Sequence, residues 1–225
     1  MNVWVEVEEA LENIISEYEK VNHIISVFQD EHMRSTGLEI MGLQKGILLE
    51  LGVGPGNFTS MLLSSVESQI IGLDYSDKML SVARTRVKKV HLLRGVFEIL
   101  PFKSRIISFI AASYALRDST DKVSVIEEVQ RILKRNGKFL VIDIGKPNNP
   151  IIRVFFSLYL RYLVPIIAGF FSTYGYKNPW SLLYKTYEIL LINNDFLKML
   201  KTFLGSALLK EHMFGAMIIA IAERA

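Results

Sequence analysis

The chain has 225 residues, of which half are hydrophobic and 22% are charged, with a net charge of +3 and a sequence pI of about 9.0. This composition excludes a disordered chain and provides enough apolar material for one large domain. The absence of cysteine excludes disulfides, a thiol nucleophile and a cysteine-ligated metal site. The acidic N-terminus lacks the basic-then-apolar order of a signal peptide, so a cytoplasmic protein is expected.

The predicted elements begin with helices, because apolar residues recur at helical spacing between about residues 5 and 41. Short apolar runs typical of buried parallel strands then alternate with helical patterns. The predicted strands cover residues 46–51, 69–74, 90–95, 105–116 and 137–145, and the helices between them cover 57–65, 77–88 and 121–133. This alternation indicates β/α units, a parallel sheet and right-handed crossovers.

The end of the chain predicts helices over about 180–191 and 195–204, followed by strands over 206–213 and 215–223. The two strands are close in sequence, so they are expected to pair as an antiparallel hairpin at the edge of the sheet. The predicted fold class is therefore α/β, with a seven-stranded, mostly parallel, doubly wound sheet. Helices at the N-terminus and a helical apolar cap between strands five and six complete it.

Residues 151–171 are the richest apolar segment of the chain. Their length suits a membrane span, but Arg153, Arg161 and Pro165 interrupt them, and a charge at the bilayer centre is costly. Two interpretations remain: a buried helix pair kinked at Pro165, or an apolar cap that lines a lipophilic channel and touches the membrane surface. Periodicity alone favours the buried pair, whereas a lipophilic substrate would favour the cap.

A glycine-rich loop at residues 50–56 (ELGVGPG) joins the first strand to its helix, where glycine lets the backbone approach a ligand closely. The dinucleotide fingerprint places its third glycine three residues after the second, but here Gly56 follows Gly54 by two. A P-loop is excluded because no Gly-Lys-Ser/Thr follows. The acidic Glu50 and the compact spacing favour a ligand with an amino acid and a nucleoside but no pyrophosphate, as in S-adenosylmethionine (SAM).

Asp74 closes the second predicted strand, where a carboxylate can accept hydrogen bonds from both ribose hydroxyls. The alternative is that Asp74 caps the next helix, although Ser76 and Asp77 are available for that purpose. Tyr75, beside it, either flanks the adenine or takes part in ordinary packing.

The loop at 50–56, Asp74, the LPF at residues 100–102 and the stretch RILKRNGKFLVIDI at 131–144 resemble class I SAM-dependent methyltransferases. Within that class, YEKVNHIIS at residues 18–26 is similar to the Y-D-x-M-N-x-x-[aliphatic]-S signature of the ubiquinone/menaquinone biosynthesis C-methyltransferase family. The ALRD at residues 115–118 resembles the G-L-R-N of the same family.

The sequence departs from the family pattern at several positions. Val96 stands before Phe97 where an acidic or amide residue is expected, and its side chain cannot accept a hydrogen bond from the adenine amino group. Asp118 replaces the asparagine of G-L-R-N, and K-P-G-G has become Lys134-Arg135-Asn136-Gly137. These departures affect the quinol assignment more than SAM binding.

The resemblance implies a Rossmann-like methyltransferase made of a helical substrate-side segment at 1–44 and a SAM-binding domain at 45–225, with the cap at about 148–192. The implied SAM-binding residues are Glu50, Gly52, Gly54, Pro55, Gly56, Asp74, Tyr75, Val96, Phe97 and Ser113. The implied catalytic residues are Arg117, Asp118, Tyr114 and His23. The four histidines form no metal-ligand pattern, so a metal-free reaction is expected.

Methylation of a quinol carbon requires a ring made nucleophilic by loss of a hydroxyl proton. Arg117 is always charged, so its expected role is to stabilise the phenolate or polarise a water, through which Asp118 would accept the proton. Replacement of Arg117 by alanine is therefore expected to slow turnover with folding nearly intact. The alternative is that Arg117 and Asp118 pair to cap the following helix. His23 is a further candidate base.

The function expected from the resemblance is methyl transfer from SAM to a ring carbon of a prenylated quinol. Its expected partners are that lipophilic substrate, the inner membrane surface and a second copy of the chain. Nucleic acid is not expected, because the charges are interspersed. The alternatives are methylation of another lipophilic small molecule and a SAM-binding protein with little catalysis.

Overall fold

A computed structural model describes residues 15–42, 45–65, 69–175 and 178–225. Of the helices predicted between about residues 5 and 41, the part over 5–14 lies outside the described residues. The described residues form one seven-stranded sheet in the order β3-β2-β1-β4-β5-β7-β6. The strands are β1 (Ile47–Leu51), β2 (Gln69–Asp74), β3 (His91–Arg94), β4 (Ile107–Ser113), β5 (Leu133–Ile144), β6 (Gly205–His212) and β7 (Met217–Arg224).

The pairing of the strands confirms the predicted fold class. Strands β1 to β5 pair in parallel, whereas β7 runs antiparallel to both β5 and β6. The predicted C-terminal hairpin is therefore confirmed at the edge of the sheet. The strand order reverses between β1 and β4, and in open α/β sheets ligands bind at such a switch point, beyond the carboxyl ends of the strands.

Helices cover both faces of the sheet. They are α1 (Ile15–Ile25), α2 (Asp30–Met41), α3 (Asn57–Ser65), α4 (Asp77–Arg86), α5 (Lys122–Ile132), α6 (Pro150–Leu158), α7 (Val164–Phe171), α8 (Leu182–Glu188) and α9 (Asn193–Leu204). Apolar residues of α5 and α9 bury one face, and those of α2 and α3 bury the other. This two-sided burial explains why the central strands read as continuous apolar runs.

The structure corrects two details of the sequence interpretation, the cap of α5 and the end of β4. Asp121 caps α5 by accepting hydrogen bonds from the backbone N–H groups of Val123 (2.9 Å) and Ser124 (3.3 Å). The alternative in which Arg117 and Asp118 cap this helix is therefore wrong. Strand β4 ends at Ser113 rather than at residue 116, because the next residue turns the chain into the left-handed region.

The apolar segment forms one helical cap made of α6, a π-helical turn (Tyr159–Leu163) and α7. It is long and apolar enough to cross a membrane by length and composition, yet little of it is buried. The interpretation as a buried helix pair is therefore wrong. The exposed apolar side chains of this cap are Ile151, Val154, Phe155, Leu158, Tyr162, Leu163, Ile166, Phe170 and Phe171.

The inner side of the cap packs against α1. Leu160, Val164 and Ala168 form a buried cluster with Val21 and Trp180. The Tyr159 hydroxyl of the cap donates to the carbonyl oxygen of Ile25 (2.7 Å), and Trp180, in the turn after the cap, donates from Nε1 to Asn22 Oδ1 (2.9 Å). The N-terminal helix is thereby fixed beside the carboxyl edge of the sheet.

Candidate active site

Two cavities lie side by side at the carboxyl edge of the sheet. The first, of about 390 Å³, is here called the cofactor cleft and is lined mainly by the loops after β1, β2, β3 and β4. The second, of about 380 Å³, is here called the acceptor cavity and lies between α1, α2, the cap and the turn before β7. Arg34 and Tyr114 line both cavities, so these two side chains form their common wall.

The glycine loop shapes the bottom of the cofactor cleft. Gly52 has a φ of +78°, and a Cβ there would lie 2.2 Å from the Cβ of Ala115, so no larger residue fits. Gly54 has a φ of +54° and faces open space, and its N–H donates to Asp74 Oδ2 at 2.7 Å. Pro55 lines the cleft, whereas Gly56 does not; Gly56 instead accepts a hydrogen bond from the N–H of Ser60 at the start of α3.

Glu50 lines the cleft and is only 1% exposed. Neither carboxylate oxygen has a hydrogen-bond partner among the described residues. Burial raises the pKa of this carboxyl to about 8, with the neighbouring Thr59 side chain and the charge of Arg34 acting in the opposite direction. A buried carboxyl without partners, facing a cleft, is prepared for a cationic ligand group.

The other end of the cofactor cleft is lined by Asp74, Tyr75, Val96 and Phe97. Asp74 Oδ1 accepts a hydrogen bond from the N–H of Ser76 (3.0 Å), and Ser76 itself caps α4, so Asp74 is not the cap. Burial raises the pKa of Asp74, and its bonds to the amides of the loops oppose that rise.

The residues of the cleft fit SAM rather than a dinucleotide. Among the described residues that line the cleft there are four carboxylates, those of Glu50, Asp74, Glu98 and Asp118, and one cation, Arg34, a charge balance that disfavours an anionic pyrophosphate. Glu50 can face the amino group of the ligand, and Asp74 can face its ribose.

The common wall holds a strained residue. Tyr114 has a φ of +56°, and its buried hydroxyl has no hydrogen-bond partner among the described residues. The Arg34 guanidinium lies 5.4 Å from the centre of the Tyr114 ring, and Arg34 Nε donates to Ser113 Oγ at 3.1 Å. Burial raises the pKa of Tyr114, so this hydroxyl is a donor toward a ligand rather than a base.

Arg117 lines the acceptor cavity but is held by the protein. Its Nη1 lies 3.0 Å from Asp143 Oδ1 and donates to the carbonyl oxygen of Tyr114 at 2.7 Å. Both partners of this ion pair are buried. This geometry argues against the expectation that alanine at position 117 leaves folding nearly intact, since the substitution would leave the charge of Asp143 buried and unpaired.

Asp118 lines the cofactor cleft and is not among the residues that line the acceptor cavity. Its Oδ1 lies 3.5 Å from Arg117 Nε. Burial raises the pKa of Asp118 to about 6, and the charge of Arg117 limits the rise. The sequence interpretation expected Asp118 to accept the proton of the acceptor. The structure instead places Asp118 in the cofactor cleft, outside the acceptor cavity.

His23 stands behind the acceptor cavity rather than in its wall. Its Nδ1 lies 2.6 Å from Asp30 Oδ1, and Asp30, the first residue of α2, lines the cavity. The sequence interpretation missed both Asp30 and Arg34, although they are spaced i, i+4 on α2 and their charges lie 3.6 Å apart. That spacing, directly after the 18–26 motif, was the available signal.

The rest of the acceptor cavity is apolar and opens at an exposed apolar surface. Phe156, Tyr159 and Leu160 of the cap line its interior. Phe155, 69% exposed, and Phe214, 84% exposed, also line it, so its mouth lies between them. This arrangement accommodates a molecule with one polar end and a long apolar tail.

A cleft for SAM at the switch point of this sheet, beside an acceptor cavity, defines a class I SAM-dependent methyltransferase. The ubiE/COQ5 methyltransferase family model matches residues 3–222, and the chain belongs to that family. Its relatives include proteins named demethylmenaquinone methyltransferase from Lactococcus lactis (32% identical; 77% of this chain, 72% of the relative) and Listeria monocytogenes (30%; 77% of each).

Solved structures agree on the fold. A SAM-dependent methyltransferase from Thermotoga maritima superposes with a TM-score of 0.69 at 17% identity and covers 97% of this chain and 100% of its own. Phosphoethanolamine N-methyltransferase 2 from Haemonchus contortus, with S-adenosylhomocysteine bound, gives 0.61 at 17% identity over 80% of this chain and 38% of its own. Because it belongs to the ubiE/COQ5 methyltransferase family, the chain is a SAM-dependent methyltransferase.

Proposed function

We propose that this chain transfers the methyl group of SAM to a ring carbon of a prenylated quinol, in the synthesis of a menaquinone- or ubiquinone-type quinone. The observation that carries the proposal is the meeting of the two cavities at Arg34 and Tyr114. A ring at the polar end of the acceptor cavity would lie against the same wall as the methyl donor. The names of the relatives from Lactococcus and Listeria support this choice of acceptor.

The residues at the common wall suit methyl transfer to carbon. SAM, when bound, supplies an electrophilic methyl group on a sulfonium. Arg117 and Arg34 place positive charge at the polar end of the acceptor cavity, where a phenolate oxygen develops. Because Asp143 and Ser113 hold these guanidinium groups in place, little reorganisation is needed when the charge appears.

The apolar part of the acceptor cavity suits the prenyl tail. Each buried methylene of such a tail is worth about 0.8 kcal/mol, so affinity is expected to rise with tail length until the tail passes the mouth at Phe155 and Phe214. Beyond the mouth, the exposed apolar residues of the cap are expected to rest on the inner face of the membrane, which holds the substrate. The proposed localisation is therefore cytoplasmic, with the protein bound peripherally to the membrane.

The test compares two acceptors and two variants. The acceptors are a menaquinone-type naphthoquinol that lacks the ring methyl and carries a geranyl side chain (the geranyl naphthoquinol), and the same ring without a tail. We expect a much higher kcat/KM for the geranyl naphthoquinol. Phe155→Asp should remove that preference because Phe155 lines the mouth, whereas Phe170→Asp, on the cap but outside the cavity, should keep it and reduce only binding to anionic lipid vesicles.

Two outcomes contradict the proposal. If the protein methylated the tail-less ring equally well, the apolar cavity would have no role in binding a prenyl tail. Failure to methylate either ring, by protein that binds S-adenosylhomocysteine, would favour another lipophilic acceptor or a binding protein with little catalysis.

A further inference from the structure

The pair formed by His23 and Asp30 connects the acceptor cavity to the solvent. Asp30 lines the cavity, and its side chain is 12% exposed, whereas the side chain of His23 is 38% exposed. Their contact, 2.6 Å between Nδ1 and Oδ1, joins the inner group to the outer one. The pair therefore offers a route for a proton between the polar end of the acceptor cavity and water.

The turn between α1 and α2 builds this contact. Val27 and Phe28 both have positive φ values, 54° and 61°, which are unfavourable for side chains of these types. The reversal brings residue 30 back beside residue 23. Ser26 Oγ donates to Asp30 Oδ1 at 3.1 Å, and the Phe28 ring packs edge-on against the His23 ring with centres 4.8 Å apart.

The other charged groups of the acceptor cavity cannot take a proton. Asp30 is the one carboxylate among the described residues that line it, and neither histidine nor lysine accompanies it there. Arg34 and Arg117 stay protonated, and the raised pKa of Tyr114 keeps its hydroxyl neutral. Asp118 lies in the cofactor cleft.

We propose that Asp30 accepts the hydroxyl proton of the acceptor and that His23 carries this proton to solvent, an inference that rests on the proposed function. The acceptor O–H bond breaks, its proton passes to the Asp30 carboxylate, and the electron pair on oxygen activates the ring. The ring carbon bonds to the methyl carbon as the sulfonium–methyl bond breaks. The ring then loses the proton at the methylated carbon and regains one on oxygen, so one proton per turnover leaves through Asp30 and His23.

The first test uses Asp30→Asn with the geranyl naphthoquinol. We expect kcat to fall about 100-fold or more, in the range of a lost general base, with the dissociation constant of S-adenosylhomocysteine unchanged. A halogen-substituted naphthoquinol with a more acidic hydroxyl, assayed at a pH where that hydroxyl is ionised, should lose far less, because its proton needs no acceptor. An equal loss with both acceptors would mean that Asp30 only holds the turn, and would overturn the proposal.

The second test uses His23, so that the proposal stays testable if Asp30→Asn does not fold. His23→Ala should lower kcat about tenfold or more, and added imidazole should restore it, because the small base replaces the proton carrier. His32→Gln, an exposed histidine on α2, is the matched control and should keep the parent kcat. A His23→Ala protein that keeps the parent kcat, or that imidazole does not rescue, would overturn the proposal.

Failure of the proposed function gives a different result. In that case the parent protein itself transfers no methyl group to the naphthoquinols. The inference about Asp30 and His23 fails when the parent protein is active but Asp30→Asn loses equally with both acceptors. It also fails when His23→Ala keeps the parent kcat or is not rescued by imidazole.

Discussion

Replacement of Glu50 by glutamine is expected to change both the stability and the cofactor affinity of the protein, each in a pH-dependent way. The carboxyl ionises near pH 4.5 in an unfolded chain, but burial raises its pKa to about 8 in the folded, cofactor-free protein. Between these values the folded protein holds a proton that the unfolded chain has lost. Stability therefore falls as pH rises across this window, by up to about 1.4 kcal/mol per pH unit.

At pH 7 the raised pKa of Glu50 corresponds to about 3 kcal/mol of lost stability. Glutamine does not titrate, so it removes this loss. We expect Glu50→Gln to raise the free energy of unfolding at pH 7 by about 2–3 kcal/mol, since its own unpaired amide offsets part of the gain. Urea unfolding of both proteins between pH 6 and 8 measures the effect as the difference between their slopes, because the contribution of Asp118, with a pKa of about 6, is common to both.

Cofactor binding gives the second readout. A cationic amino group beside Glu50 would favour the ionised carboxylate, so binding at pH 7 should release a proton and tighten as pH rises toward 8. Calorimetry with SAM in two buffers of different ionisation enthalpy measures this release. Glu50→Gln should bind SAM at least about tenfold more weakly, and binding should no longer release the proton of this carboxyl.

The control is Glu98→Gln, also in the cleft. Burial raises the pKa of Glu98, but bonds from Thr120 and the neighbouring amides outweigh this and leave the pKa lowered. Glu98→Gln should therefore leave the slope between pH 6 and 8 unchanged. If Glu50→Gln kept the parent slope and the parent proton release, the reasoning about the buried carboxyl would be refuted.

Three further predictions concern the cleft and the buried ion pair. Asp74→Ala should weaken S-adenosylhomocysteine binding markedly in calorimetry, and NAD should not bind to the parent protein; NAD binding would contradict the cleft assignment. Arg117→Ala should lower the free energy of unfolding by about 3–5 kcal/mol, because Asp143 stays buried without its partner. The double variant Arg117→Ala/Asp143→Ala should recover part of this loss of stability. A fully additive loss would argue against the pair. Gly52→Ala should unfold at lower temperature and lose cofactor affinity, because Ala115 occupies the space of the new Cβ; parent behaviour would exclude that clash.

The order of strands and helices could be predicted from the sequence because the buried parallel strands are continuous apolar runs separated by helical periods. The strand ends were harder to predict. RIISFIAASYAL, residues 105–116, continues its apolar pattern through Tyr114, but the positive φ of that residue ends β4 and turns the chain into the site. Nothing in a hydrophobic pattern marks a left-handed tyrosine.

Most residues that line the cofactor cleft were predictable because they lie on short loops next to the strands that carry the motif. The acceptor residues were not, since Asp30, Arg34 and Phe214 are brought together by helix packing across the whole chain. The sequence interpretation gave Asp118 a catalytic role because it follows Arg117. The two residues lie in a tight 3₁₀ turn (Leu116–Asp118), however, and line different cavities. The buried partner of Arg117, Asp143, lies 26 positions away.

The position of the transferred methyl group gives the most direct measurement. The purified protein is incubated with methyl-deuterated SAM and the geranyl naphthoquinol, and the product is examined by mass spectrometry and NMR. We predict one deuterated methyl group on the ring carbon. A methyl group on oxygen, or no product from protein that binds S-adenosylhomocysteine, would contradict the proposed function.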